Sequence, residues 1–195
     1  MIAPHPSAAG DFRIDPETGL AHGAVQLPSP HCDDRPHGTA IDLLVIHAIS
    51  LPAGVYGGND VAELFLGTLD CARRAEYGEL ANLRVSAHFL VRRDGQVQQF
   101  VPVHRRAWHA GVSRFAGRER CNDFSVGIEL EGSDRDRFTA AQYTALSTLT
   151  RAVRAACPAI AAENIVGHSD IAPGRKTDPG PHFDWAVYRA ALVAA

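Results

Sequence analysis

No stretch of this 195-residue chain reaches eighteen consecutive apolar residues, which excludes a helical membrane span. Neither sign of charge is in excess, and a formal net charge of −3 gives no electrostatic case for nucleic acid. Cysteine is scarce. Cys32, Cys71, Cys121 and Cys157 are far apart, form no CxxC pair and sit in a chain too large to need a disulfide framework, so free thiols are expected. The start, MIAPHPSAAGDFRIDPETG, has neither the positively charged opening nor the apolar run of a secretory signal, and the expectation is a cytoplasmic protein. There is no internal repeat and no low-complexity segment. What remains is one domain whose 46% hydrophobic content can build one sizeable core. Its expected partner is a small molecule, with no obligatory protein partner evident.

The most informative stretch is GHSDIAPGRKTDPGP, Gly167 to Pro181. It places His168, Lys176 and Asp178 within eleven residues of a loop that Pro173, Gly174, Pro179 and Gly180 keep out of helix or strand interiors. His and Asp suit Zn²⁺, and a catalytic zinc needs three protein ligands with a fourth position open.

Residues 1–40 are rich in Pro, Gly, His and Asp without a sustained period, and read as an irregular arm. Ile41 to His47, IDLLVIH, has the apolar, β-branched character of a buried central strand ending on a histidine, at the carboxyl edge where α/β sheets place ligands. Asp60 is the expected cap of a short helix through VAELFLG, and residues 70–84 read as an irregular loop. Ala87–Arg93 and Gln96–Val101, joined by Asp94-Gly95, predict a β-hairpin with a tight primed turn. A long polar loop leads into Ser125–Glu131, where alternation puts Glu129 and Glu131 on one face of a strand. Thr139 and Gln142 form a capping-box signature opening a helix to Ala156. Ile165–His168 predicts a short strand, and Trp185–Val193 a closing helix. The fold class is α/β: a single domain with a central mixed β-sheet flanked by helices.

A lone histidine at a strand end is more often a hydrogen-bonded structural residue than a ligand. LLVIH and NIVGH, however, end alike, so neighbouring strands could present His47 and His168 at one edge, with Asp178 as the anionic third ligand. On spacing alone, Glu129 or Glu131 could be the general base. Lys176 is a solvated lysine or an oxyanion stabiliser. Trp108 is packing or a stacking platform, and His109 beside it is read as packing; His88 is assigned to the core.

Four runs, VIHAISLPAGVYGG, LRVSAHFLVRRDGQVQQFVP, RAWHAGVSRFAGRERCNDFSVGIELEG and GHSDIAPGRKTDPGPHFDW, resemble in order the N-acetylmuramoyl-L-alanine amidase type 2 family of zinc amidases. The resemblance is closest to its cytoplasmic branch, which cuts 1,6-anhydro-N-acetylmuramoyl peptides between the lactyl group and L-alanine in cell-wall recycling. It implies a peptidoglycan-recognition-like zinc amidase domain over 27–195 behind an N-terminal extension, 1–26, and one Zn²⁺ on His47, His168 and Asp178. It also implies Glu129 as catalytic carboxylate, Lys176 as transition-state lysine, and Arg84, Ala107, Trp108 and Arg120 as contacts to a muropeptide substrate. A non-catalytic muropeptide-binding module of this fold would have lost a zinc ligand, and an exported amidase acting on intact murein would carry a signal. Ala48, where relatives often have Asn, and the loop DCARRAEYGE with Tyr77 depart from the family pattern.

Overall fold

The computed structural model describes residues 11–193; the first ten residues of the expected extension and the last two of the chain lie outside them. Six strands form the central sheet: β1 Val25–Gln26, β2 Leu43–Ile49, β3 Phe89–Val91, β4 Val97–Gln99, β5 Ser125–Glu131 and β6 Ile165–Gly167. Their order is β6-β2-β5-β3-β4-β1. β6, β2, β5 and β3 run parallel, β4 is antiparallel to β3, and β1 is parallel to β4, which makes the sheet mixed.

The parallel centre follows from sequence. Leu43 to Ile46 are wholly buried, as are Val126 and Ile128, which suits strands covered on both faces. Burying each such side chain contributes about 1.5–3 kcal/mol. One face, with Leu44, Ile46, Val126, Ile128 and Leu130, packs on Leu146, Leu149 and Val153 of α1, Ala140–Ala156, and on Tyr188 of α2, Trp185–Val193. The other face carries Leu43, Val45 and His47 on β2 and Ser125, Gly127, Glu129 and Glu131 on β5. It is covered by the irregular chain around Ala110, Cys121 and Ile171. All the polar residues of the two strands lie on this second face.

The capping box is present: Thr139 accepts from the Gln142 N–H, and the Gln142 side chain accepts from the Thr139 N–H. Several expectations need correction. β2 runs two residues past His47, because Ile49 still pairs with Glu131 and its carbonyl accepts from Gly132. Asn59, not Asp60, is the N-cap of the helix Asp60–Leu66; the Asp60 carboxylate is taken instead by Arg73 and Tyr77. The hairpin turn is not a primed two-residue turn. Only Gly95 has positive φ, at 87°, and the Gly95 N–H to Arg92 and Arg92 N–H to Gln96 bonds describe a three-residue loop with a glycine bulge. The 70–84 loop contains a 3₁₀ segment, Ala75–Leu80, with Tyr77 fully buried in it. The arm is partly regular: Arg13–Ile14 pairs with Ala21–His22, β1 joins the sheet edge, and Phe12 and Ile14 pack in the main core. His168 is not a strand residue but opens a one-turn helix, His168–Ile171. No helix among the described residues is long and apolar enough to cross a membrane.

Candidate metal centre and active site

β6 pairs with β2 through Gly167 opposite Ile46, so His168 emerges one residue beyond that pair and meets His47. The loop that follows is tied back by the Ser169 N–H to the Asp178 carbonyl, 3.0 Å, and by the Lys176 N–H to the Ala172 carbonyl, 3.0 Å. Three atoms converge as a result. His47 Nδ1 is 3.0 Å from His168 Nδ1; Asp178 Oδ2 is 3.1 Å from His168 Nδ1 and 3.3 Å from His47 Nδ1. Ligands about 2.0–2.1 Å from a tetrahedral ion stand about 3.3–3.4 Å apart, so this triangle matches one face of a zinc tetrahedron closely. Among the described residues this is the group of His, Cys, Asp and Glu able to hold a metal ion.

The charge state also fits a cation. Burial pushes the His47 imidazolium down to about 4, with nearby His168 adding to the effect and Asp178 opposing it, so at neutral pH the ring is uncharged. Burial works against ionising Asp178, but contacts from His168 and His47 outweigh it and hold its carboxyl well below the usual range. A carboxylate and imidazole lone pairs facing one another at 3 Å repel unless a cation lies between them.

Glu129 lies opposite His47 in the β5–β2 register, on the same face. Its Oε2 is buried and has no hydrogen-bond partner among the described residues. Burial, then the Asp178 charge, drives its carboxyl well above the ordinary range, while the charge of Lys176 pulls the other way. Glu131, the rival on spacing, accepts from Arg92 Nε at 3.1 Å and from the N–H groups of Arg93 at 3.0 Å and Gly57 at 2.6 Å. Lys176 is exposed at the rim.

The remaining residues surround this centre unevenly. Arg120 is 71% exposed, sits at φ 61° and touches Asp123 at 3.3 Å. It shares a cavity of about 570 Å³ with Arg114, Arg175, Val112 and Pro173. Trp108 is partly buried, stacks on His31 with the rings 11° from parallel and donates its indole N–H to Asp33 at 3.0 Å. Burial and pairing leave Ala107 only a backbone role, since its side chain is fully buried and its strand pairs with Cys32. Arg84 is exposed and lines a smaller cavity of about 180 Å³ with His31, Leu80 and Cys71. Ala48 packs against the main core. His88 is fully buried, as expected for a core residue: its Nδ1 accepts from the Gly127 N–H at 3.0 Å.

His109, expected only to pack, has Nδ1 2.9 Å from His47 Nε2 and Nε2 3.1 Å from Ser125 Oγ. Burial, reinforced by the neighbouring histidines, depresses its pKa well below the usual value. A signal for it existed. Gly127 interrupts an otherwise well-filled buried strand, and a mid-strand glycine often marks a close approach by another group; here a Cβ would lie 2.5 Å from the His109 ring.

The family Amidase_2, N-acetylmuramoyl-L-alanine amidase, matches residues 37–181. The 1,6-anhydro-N-acetylmuramyl-L-alanine amidase AmpD of Escherichia coli (strain K12) is 56% identical over 176 residues, covering 90% of this chain and 96% of that protein. The crystal structure of a selenomethionine AmpD derivative has a TM-score of 0.88 at 53% identity, with 90% of this chain and 98% of that chain covered. The Escherichia coli amidase AmiD, solved with anhydro-N-acetylmuramic acid-L-Ala-D-gamma-Glu-L-Lys, has a TM-score of 0.57 at 31% identity, covering 80% of this chain and 60% of that one.

Proposed function

Because the chain belongs to the N-acetylmuramoyl-L-alanine amidase family Amidase_2, we propose that it hydrolyses the amide joining the lactyl group of 1,6-anhydro-N-acetylmuramic acid to L-alanine, in soluble muropeptides released by peptidoglycan turnover. The observation that carries this reading is the unpartnered, buried Glu129 Oε2 beside the His47, His168 and Asp178 triangle. A buried carboxyl with a raised pKa next to a three-ligand cluster is the arrangement that proton transfer in amide hydrolysis requires.

His47 Nδ1, His168 Nδ1 and Asp178 Oδ2 would hold one Zn²⁺. When bound, the metal supplies a Lewis acid for the scissile carbonyl and lowers the pKa of a water molecule. Glu129 takes the proton of the attacking water at Oε2 and returns it to the alanine nitrogen, since an amide anion is too poor a leaving group to depart unprotonated. Lys176 pulls Glu129 back toward the range where it can accept that proton, and a cation held by the cluster would add to that pull. Lys176 steadies the oxyanion from the rim. On the substrate side, Arg120 clamps a stem-peptide carboxylate from the 570 Å³ cavity, the indole of Trp108 packs on the sugar or lactyl side, and Arg84 and the Ala107 backbone hold the remainder. Unpaired thiols and a soluble substrate fit action in the cytoplasm.

The test is product mass spectrometry on anhydro-muropeptide and on intact murein, with chelated and zinc-restored protein. Release of the free stem peptide from the anhydro substrate, lost on chelation and restored by zinc, is expected; cleavage at another bond, or none, would overturn the reading.

A further inference from the structure

We propose that Ser125 and His109 form a positioning relay that fixes the tautomer of His47 and so aims its Nδ1 lone pair at Asp178 and His168. The inference rests on reading those three residues as the metal site. Ser125 Oγ lies 2.6 Å from the Cys121 carbonyl, which can only accept, so the hydroxyl proton is committed there. Toward His109 Nε2, 3.1 Å away, Ser125 can then only accept, which makes His109 the Nε2–H tautomer. Its bare Nδ1 faces His47 Nε2 at 2.9 Å, so His47 must donate from Nε2. The Nδ1 lone pair of His47 is left pointing into the triangle, 3.0 Å from His168 Nδ1 and 3.3 Å from Asp178 Oδ2. His168 reaches the same state in one step, since its Nε2 is 3.2 Å from the Ala110 carbonyl.

The relay is built, not incidental. The N–H groups of His109 and Ala110 both donate to Asn122 Oδ1, at 3.1 and 2.8 Å, which fixes the backbone carrying the ring. The ring then fills space that exists only because residue 127 is glycine, and it meets His47 edge-on at 85°. Ser125 and Gly127 therefore serve the same side chain from alternate positions on one face of β5. A second imidazole as hydrogen-bond acceptor is neutral where a carboxylate would be charged, so it orients the ligand while adding no negative charge behind it.

Two measurements on the full chain test this. Long-range ¹⁵N–¹H NMR of the zinc-loaded wild type reads the tautomer directly, and the result expected is a protonated Nε2 on His47 and on His109. A protonated Nδ1 on either ring would overturn the relay whether or not any variant folds. Competition with a chelator reads zinc affinity: His109→Leu, which fills similar space without an acceptor, should weaken zinc roughly 10- to 100-fold. His109→Gln, whose amide can accept from His47 and donate to Ser125, should recover most of that loss. If Leu binds zinc as wild type does, or Gln binds no better than Leu, His109 only fills space. Failure of the metal-site reading looks different: His168→Ala would then keep a full equivalent of zinc.

Discussion

Glu129 and Glu131 stand two residues apart on one face of β5 and meet opposite surroundings. The region around Glu131 belongs to the hairpin end of the sheet, where the Arg92 guanidinium and the N–H groups of Arg93 and Gly57 share its carboxylate, and Gln142 Nε2 donates to its backbone carbonyl at 2.9 Å. The region around Glu129 faces His47, Asp178 and Lys176, and Oε2 of that carboxylate is buried without a partner. A buried carboxylate with donors on both of its oxygens is structural. One that is buried and short of donors binds its proton tightly and is ready to exchange it with whatever occupies the adjacent site. The strand supplies the same residue type at the same spacing, and the covering segments decide the role.

The largest expected effect is on stability, at Glu131. Glu131→Ala would leave Arg92, whose side chain is only 11% exposed, as an uncompensated charge, and should cost about 3–5 kcal/mol in urea unfolding. Turnover per folded molecule should hold; a stable but inactive Glu131→Ala protein would reverse the assignment. Lys176 belongs to the Glu129 region, and Lys176→Ala should lower kcat on the order of 100- to 1,000-fold with zinc content unchanged. Steady-state kinetics paired with metal analysis separate that outcome from loss of the metal.

A third buried titratable group touches the same strand at Gly127. Burial, with the charge of Arg35 adding to it, pushes His88 down to about 3. A pKa that falls on folding gives stability that is complete above about 6.5, the unfolded value, and is lost as pH falls toward about 3. The expected slope is up to about 1.4 kcal/mol per pH unit for this one proton. Unfolding free energies measured from pH 7 to 4 should fall less steeply in His88→Gln than in wild type, and equal slopes would remove His88 from the account. The smallest effect concerns Arg120, which is largely free in solvent. Arg120→Ala should raise KM with little change in kcat on full-length stems, and not on a substrate lacking the distal carboxylates. An equal effect on both would reduce Arg120 to its exposed pair with Asp123, worth about 0–1 kcal/mol.

The parts legible in the sequence were those encoded locally. The two apolar runs that lead to His47 and His168 are adjacent parallel strands, Thr139 and Gln142 cap α1, and alternation alone assigned Glu129 and Glu131 to one face. What stayed hidden depends on contacts between distant segments. His109 meets His47 across 62 residues, and Arg92 reaches Glu131 across 39. The Asp60 carboxylate, a good cap by residue type, is taken by Tyr77 and Arg73, so Asn59 becomes the cap position. The hairpin loop and the extent of β2 differ by a residue or two, where tertiary pairing rather than local preference sets the end.

Parallel assays of zinc content and anhydro-muropeptide turnover in Glu129→Gln and Glu131→Gln separate the proton carrier from the structural carboxylate. Glu129→Gln keeps the shape of the side chain and removes its ability to carry the proton. The expected result is a full equivalent of zinc with turnover abolished in Glu129→Gln, and both retained in the folded fraction of Glu131→Gln. Undiminished turnover in Glu129→Gln would contradict the account, whatever the metal content.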